Sequence, residues 1–446
     1  MLTDPEVIFA LAALGSSAYR LYRGRRYKKH LPPSPAGAYP LIGHALIHPT
    51  EDEHLTYAKW CKELNSDIVS VTVLGQTIVI LDSVHAATDL LDHRSTIYSD
   101  RPYLRVICDS RLTVAAEILS SVYGYTVKNT DDPLVRDNAT LVENFTVAAI
   151  PGNFLVNFIP WLKYVPQWFP GAKWKRTIVE WRRLKERVMN EPYEQAKAQI
   201  ASGFAPPSIV QTYLASIEGG SNIDLDEEEE NLRLVSASLF GAAADTTHAS
   251  LMSFMLAMVR HPEVQARAQE EIDRVTSSER LPKLSDRDSM PYVRCIIQEV
   301  LRWQPPLPLG VPHATVEDDE YRGYFIPKGS IVMANAWAMG RNESVYKSPE
   351  TFCPERFLGA NTPSTSAFGF GRRSCPGSHY AEASLFILFA SVLAVFDIKP
   401  KVNPVTGQEE IPEAKVALHA LVSRILPFEC TIKPRSEAHK ELIESA

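Results

Sequence analysis

"FGFGRRSCPG", Phe368–Gly377, sets a single cysteine beside two closely spaced glycines and two arginines, with a proline and a long apolar run after it. Pro376 suits the first turn of a helix, so Cys375 falls at or just before that helix's N-terminus. The unpaired N–H groups and the positive end of the macrodipole there favour an anion, and hence a thiolate. Gly371 and Gly377 let the backbone bend closely around the sulfur and aim amides at it. A structural cysteine buried in a Gly-rich turn is the plainer alternative, but it needs neither the arginines nor the proline.

The run after the cysteine, Gly377 to Val395, reads as a strongly apolar core helix. A second core helix is predicted over Glu227 to Arg260, with acids in its first turn and a stop at His261-Pro262. Its length of roughly 50 Å would cross a whole domain. Helices also read over Pro262 to Val275 and Pro291 to Trp303, the latter ended by Pro305 and Pro306. "DIVSVTVLGQTIVIL", Asp67–Leu81, alternates β-branched residues around Gly75 and predicts a hairpin, with a helical pattern from Ser83. "YRGYFIPKGSIVMAN", Tyr321–Asn335, reads as another. The fold class is therefore mainly α with small β-sheets (α+β).

The chain has 446 residues, 45% hydrophobic and 22% charged, which is ordinary globular composition. A formal net charge of -7 gives no electrostatic case for nucleic acid as a partner. Six cysteines, Cys61, Cys108, Cys295, Cys353, Cys375 and Cys430, lack the paired spacing of a disulfide framework or zinc site. No Gly-rich phosphate loop, HExxH helix or GxSxG elbow occurs. At the amino terminus Val7–Tyr19 carries no charge and precedes Arg20, Arg23, Arg25, Arg26, Lys28 and Lys29. The segment is short against the roughly 20 residues a spanning helix needs. A tightly fitted or monotopic anchor over residues 1–29 is expected, with a cleaved signal peptide or a surface helix as alternatives. "LPPSPAGAYPLIG", Leu31–Gly43, would then be a stiff spacer before a domain of residues 30–446.

A flat, anionic, redox-active group fits the setting of the cysteine: a haem, with Cys375 as axial ligand and Arg373 or Arg372 reaching a propionate. "GAAADTTHAS", Gly241–Ser250, puts an Asp and two Thr in the middle of the long apolar helix. Such groups need partners or a function there; a back-bonded Thr and an Asp paired to a neighbour would satisfy them. Glu299 and Arg302 in "EVLR" share a helix face, and Arg356 lies in "PERF", Pro354–Phe357.

The decapeptide closely resembles the haem-binding loop of the cytochrome P-450 family, matching at Phe368, Gly371, Arg373, Cys375 and Gly377. The resemblance implies that fold, haem b, and thiolate ligation that favours O-O cleavage. It implies that Glu299, Arg302 and Arg356 form a buried structural network behind the loop, and that Thr246 and Asp245 serve dioxygen and protons. Ala243 stands where the family usually has Gly and narrows the space over the haem. "PLGVPHATVEDDEYRGYFIPKGS", Pro308–Ser330, is similar to fungal microsomal members resembling O-methylsterigmatocystin oxidoreductase, and "LVSRILPFECTIKPRSE", Leu421–Glu437, to their closing sheet. By that resemblance Leu309 to Val311 line the substrate pocket and His313 reaches a propionate, a surface turn histidine being the alternative. The family role implied is a monooxygenase of the endoplasmic reticulum membrane. It would take electrons from an NADPH-dependent reductase and insert one atom of O2 into a lipophilic molecule, in secondary metabolism or xenobiotic oxidation. An oxygen-independent rearranging member fits less well, because the Asp245-Thr246 pair is intact.

One stretch departs from the pattern. "YSDRP", Tyr98–Pro102, resembles the end of the family's second helix, whereas "AAEILSSVYGYTVKNTDDP", Ala115–Pro133, resembles a much later one. The B–C loop and the C/D helices, which cover substrate and carry a Trp-x-x-x-Arg pair for the propionates, have no counterpart here. No Trp occurs from Arg101 to Val147. Arg105 or Arg111 is the candidate substitute, and a non-catalytic haem-binding remnant is the alternative function.

Overall fold

The computed structural model describes residues 31–39, 42–49, 52–73, 75–98, 112–127, 132–149, 156, 160–169, 171–217, 224–359, 362–403, 406–416 and 421–444. The expected anchor, Cys108, Arg105 and Arg111 lie outside them.

Helix α1 (Glu53–Glu63) leads into β1 (Ile68–Val73) and β2 (Gln76–Leu81), the predicted antiparallel hairpin, with Ile68 opposite Leu81. The proline-rich stretch before α1 is not a free spacer. Ser70 donates its amide to the Pro33 carbonyl at 2.8 Å and its hydroxyl to the Pro32 carbonyl at 2.7 Å. Prolines lack the N–H to extend the ladder but keep their acceptors, so the segment docks on β1. Ser83 then caps α2 (Val84–Ala87) by accepting from the Ala86 amide at 3.1 Å. A π-helical turn, Thr88–His93, and α3 (Ser95–Tyr98) follow.

The middle of the chain is helical: α4 (Leu112–Tyr123), α5 (Pro133–Ala149), α6 (Lys173–Ala201), α7 (Ile209–Ile217), α8 (Leu225–Arg260), α9 (Pro262–Thr276) and α10 (Pro291–Trp303). Helix α8 starts two residues before the predicted start. Asp224 caps it by accepting from Asp226 and Glu227, and Asp226, Glu227 and Glu228 face the positive end of the dipole. Its 36 residues span about 54 Å.

Strands β3 (His313–Ala314), β4 (Asp319–Tyr321), β5 (Tyr324–Ile326) and β6 (Ile331–Ala334) correct the second hairpin prediction. Only its first half is one: β4 and β5 turn on Arg322 and Gly323, both with positive φ. The apolar strand β6 leaves for the larger sheet, ordered β1-β2-β6-β3, where it lies parallel to β2 and its Val332 and Met333 are buried. After α11 (Ala336–Met339) come α12 (Ser378–Val395), β7 (Phe396–Val402), β8 (Glu409–Glu410), β9 (Cys430–Pro434) and α13 (Glu437–Glu444), with β7 central in a sheet ordered β8-β7-β9.

The largest core joins the second half of α8 to α9, α10 and α12, and Phe254 stacks on Phe389 with centroids 3.9 Å apart. Among the described residues α12 is the one helix apolar and long enough to cross a membrane. Phe386, Phe389 and Leu393 are fully buried in that core, so its hydrophobicity is spent on packing. A second cluster packs α4 and α7 against the first half of α8 through Tyr123 and Phe240. That first half leaves one stripe open: Leu234 is 39% exposed, Val235 53%, and Ser238 and Ala242 are exposed at helical spacing beyond them.

Candidate functional site

Cys375 is exposed, whereas Cys61 and Cys295 are buried and Cys353 and Cys430 half-buried. Its loop spans two cores: Phe368 packs against the largest cluster, while Phe370 packs against the cluster around β1, β2 and α2. The Cys375 amide donates to the Phe368 carbonyl at 2.8 Å, which closes the loop under the sulfur. Helix α12 begins three residues later, so the thiol stands just outside its N-terminus.

The two glycines have different tasks from those expected of them. Gly371 has a φ of +56°, and a Cβ there would lie 2.2 Å from the Leu91 carbonyl oxygen and 2.7 Å from the Asp92 Cα. It is glycine because the loop presses on the π-helical turn, not to bend around the sulfur. A Cβ at Gly377 would meet only the Cys375 Sγ, at 3.9 Å, so this glycine keeps the space beside the sulfur clear. Arg372 and Arg373 are both exposed on the same loop.

Behind the loop, Glu299, Arg302 and Arg356 come together as the resemblance implied. Arg302 Nε donates to Glu299 Oε2 at 2.7 Å and Nη2 to Oε1 at 2.8 Å, with both side chains fully buried. Arg356 Nε lies 3.1 Å from Oε2, and the Cys353 amide donates to Oε1 at 2.7 Å. The remaining donors reach carbonyls: Arg302 Nη1 to Gly340 at 2.7 Å, and Arg356 to Lys347 at 2.8 Å and Thr351 at 2.9 Å. One carboxylate thus holds α10 to the segment leading to the cysteine, and every strand of that tie is charge-assisted. Beside it, Tyr292 donates to Glu355 at 2.7 Å; burial first, then this bond, push the phenol well up. Burial likewise raises the Cys353 thiol.

In α8, Thr246 is half-buried and donates to the Ala242 carbonyl at 3.0 Å, the back-bonded arrangement of a mid-helix threonine. Asp245 is 1% exposed and meets Arg424 Nη2 at 2.8 Å. Arg424 was not singled out from sequence, because its partner is 179 residues away and no local pattern links them.

His313 is a buried strand residue, 6% exposed, not a surface turn histidine. Its Nδ1 lies 2.7 Å from the Tyr98 carbonyl oxygen, which can only accept, so Nδ1 carries the proton. Leu309 departs from the expected pocket: it is 8% exposed and packs with Tyr57, Trp60 and Met333 behind the larger sheet. Val311, 39% exposed, faces outward, and Ala243 is half-buried.

A haem fits these residues. The thiol is exposed on a fixed loop, and the middle of the central helix is exposed at Ala242 and half-buried at Gly241 and Thr246, where a Cβ on Gly241 would meet nothing within 4 Å. Cys375 would hold the iron, and Arg373 and His313 are the candidates for the propionates. Among the described residues no cluster of His, Cys, Asp and Glu offers a second metal site.

The sequence profile of the family described as cytochrome P450 matches residues 113–422. A cytochrome P450 monooxygenase of Armillaria gallica is 37% identical over 94% of this chain and 95% of its own length. Cytochrome P450 monooxygenase 208 of Postia placenta is 38% identical over 99% and 97%. A third, ple1 of Rhodocybe pseudopiperita, is 36% identical over 98% and 96%. The Armillaria alignment runs over 487 positions but draws on 94% of these 446 residues, about 419, so roughly 68 positions hold no residue of this chain. The chain belongs to the cytochrome P450 family and, with relatives that share the designation, is an oxidoreductase of its monooxygenase type.

Proposed function

We propose that the protein is a haem-thiolate monooxygenase that acts on a lipophilic organic molecule, with electrons from an NADPH-dependent reductase. The observation that carries this reading is the exposed Cys375 thiol on a loop closed by the Phe368 carbonyl and backed by the Glu299 network. Haem held there supplies dioxygen activation, with one oxygen atom entering the substrate and the other leaving as water. Thr246 presents a hydroxyl at the open part of α8, able to donate and accept, while Asp245 beside it holds or passes a proton. Residues 1–29 anchor the domain of residues 30–446 to the endoplasmic reticulum membrane on this reading, with the basic cluster on the cytosolic side.

The second reading, a haem-binding remnant without turnover, is favoured by the open stripe on α8 and the roughly 68 unfilled alignment positions. We place that gap after Pro102, where the covering loop and C/D helices belong; an uncovered site admits water to the oxidant. The test is to express the full chain, reduce it, add carbon monoxide and record the Soret band. A red-shifted thiolate-type band followed by substrate oxidation with reductase supports the first reading. Such a band without any product supports the remnant, and no haem uptake or an imidazole-type band overturns Cys375 as ligand.

A further inference from the structure

The proton role read for Asp245 leaves open what controls that carboxylate. It is buried inside the longest helix, and a lone carboxylate there would favour its neutral form. Its ion-pair partner comes from a different part of the chain. Arg424, with 19% of its side chain exposed, sits between Val422 and Ile425, both buried. The backbone around it is tied elsewhere: the Ser423 amide donates to Pro306 at 2.7 Å, and Leu426 donates to Lys415 at 2.8 Å. Val416 bridges Ile425. The segment is therefore fixed to the loop after α10 by its backbone and reaches α8 with a charged side chain.

We propose that Arg424 is the positioning residue for Asp245. Its guanidinium keeps the carboxylate charged and turned toward the carboxyl-terminal segment, so proton supply to Thr246 depends on where that segment lies. The inference rests on the reading of Asp245 as the proton carrier. Losing Arg424 removes the charged partner of this buried carboxylate, which then either takes up a proton and keeps it or rotates out of register with Thr246. Electrons then drain to peroxide or water instead of product.

The test compares Arg424→Gln, Arg424→Lys and Asp245→Asn in the full haem-loaded chain with reductase. The readouts are product formed per NADPH consumed, the solvent deuterium isotope effect on turnover, and the urea unfolding midpoint. The expected result is a loss of about tenfold in product per NADPH for Arg424→Gln, since a positioned proton transfer is worth about 100-fold or more. Its isotope effect should rise, Arg424→Lys should recover most of the loss, and adding Asp245→Asn to Arg424→Gln should shift the midpoint less than the two shifts combined. Wild-type coupling in Arg424→Gln with uncoupling in Asp245→Asn overturns the inference and leaves the proton role standing. Unchanged coupling in Asp245→Asn overturns that role, and the inference with it. If Arg424→Gln fails to fold, Arg424→Lys decides: a changed isotope effect with an intact carbon monoxide spectrum supports the inference, and an unchanged one overturns it.

Discussion

The cysteine side of the molecule and the first half of α8 are built to opposite standards. On the cysteine side, Glu299 and Arg302 are 0% and 1% exposed, and the donors of Arg302 and Arg356 reach the Glu299 carboxylate or nearby carbonyls. On α8, Leu234 and Val235 lie open at 39% and 53% in a helix whose second half is sealed around Phe254, Leu256 and Met258. The locked side is assembled from one continuous run, α10 to α12, whose ties close loops of up to 57 residues, against 179 for Arg424 and Asp245, and closure entropy grows only slowly with that span. The open side faces a fold whose chain passes from α3 to α4 with thirteen residues between Tyr98 and Leu112. The ligand loop and the first half of α8 are secured by separate contacts, so one is locked while the other lies open.

The strongest way to break this comparison is to remove the ligand itself. Cys375→Ser should abolish both the thiolate-type carbon monoxide band and turnover, while unfolding in urea stays close to wild type, since the side chain is exposed. Next is Glu299→Ala, which strands Arg302 as a buried, uncompensated cation. A loss of about 3–5 kcal/mol in unfolding free energy is expected, together with poor haem retention. A loss below about 1 kcal/mol, the size of an exposed pair, would mean that the network is not what holds the cysteine loop.

The cysteine loop, the long helices and the first hairpin were legible because each depends on neighbours in sequence: a proline at a helix start, acids in a first turn, alternation around Gly75. Three features were not. The Arg424–Asp245 pair joins residues that no periodicity relates. Strand β6 reads as half of a hairpin because its alternation fits any partner, and the tertiary sheet pairs it with β2 instead. The proline run reads as a spacer because composition records the missing amides but not the carbonyls that Ser70 reaches. The burial of His313 and Leu309 was equally hidden, since it is set by what packs over a short strand or turn rather than by neighbours in sequence.

Gly371 and Gly377 sharpen the comparison within the loop. Gly371→Ala forces a Cβ against the Leu91 carbonyl at a positive φ; the backbone strain alone costs about 1–3 kcal/mol, and the clash with the backbone of Leu91 and Asp92 adds to it. Gly377→Ala, with only the Cys375 Sγ at 3.9 Å, should leave the unfolding midpoint unchanged and instead shift the Soret band or lower haem affinity. The smallest effect belongs to the open stripe. Val235→Ser and Leu234→Ser should each change stability by no more than about 0.5 kcal/mol if the stripe is solvated, as expected for surface positions. A buried aliphatic side chain truncated in this way would cost about 2 kcal/mol or more. Measured by urea unfolding of the full chain, the larger value would mean that another part of the protein covers α8. The helix would then be sealed along its length, and the case for a thinned wall would fall with it.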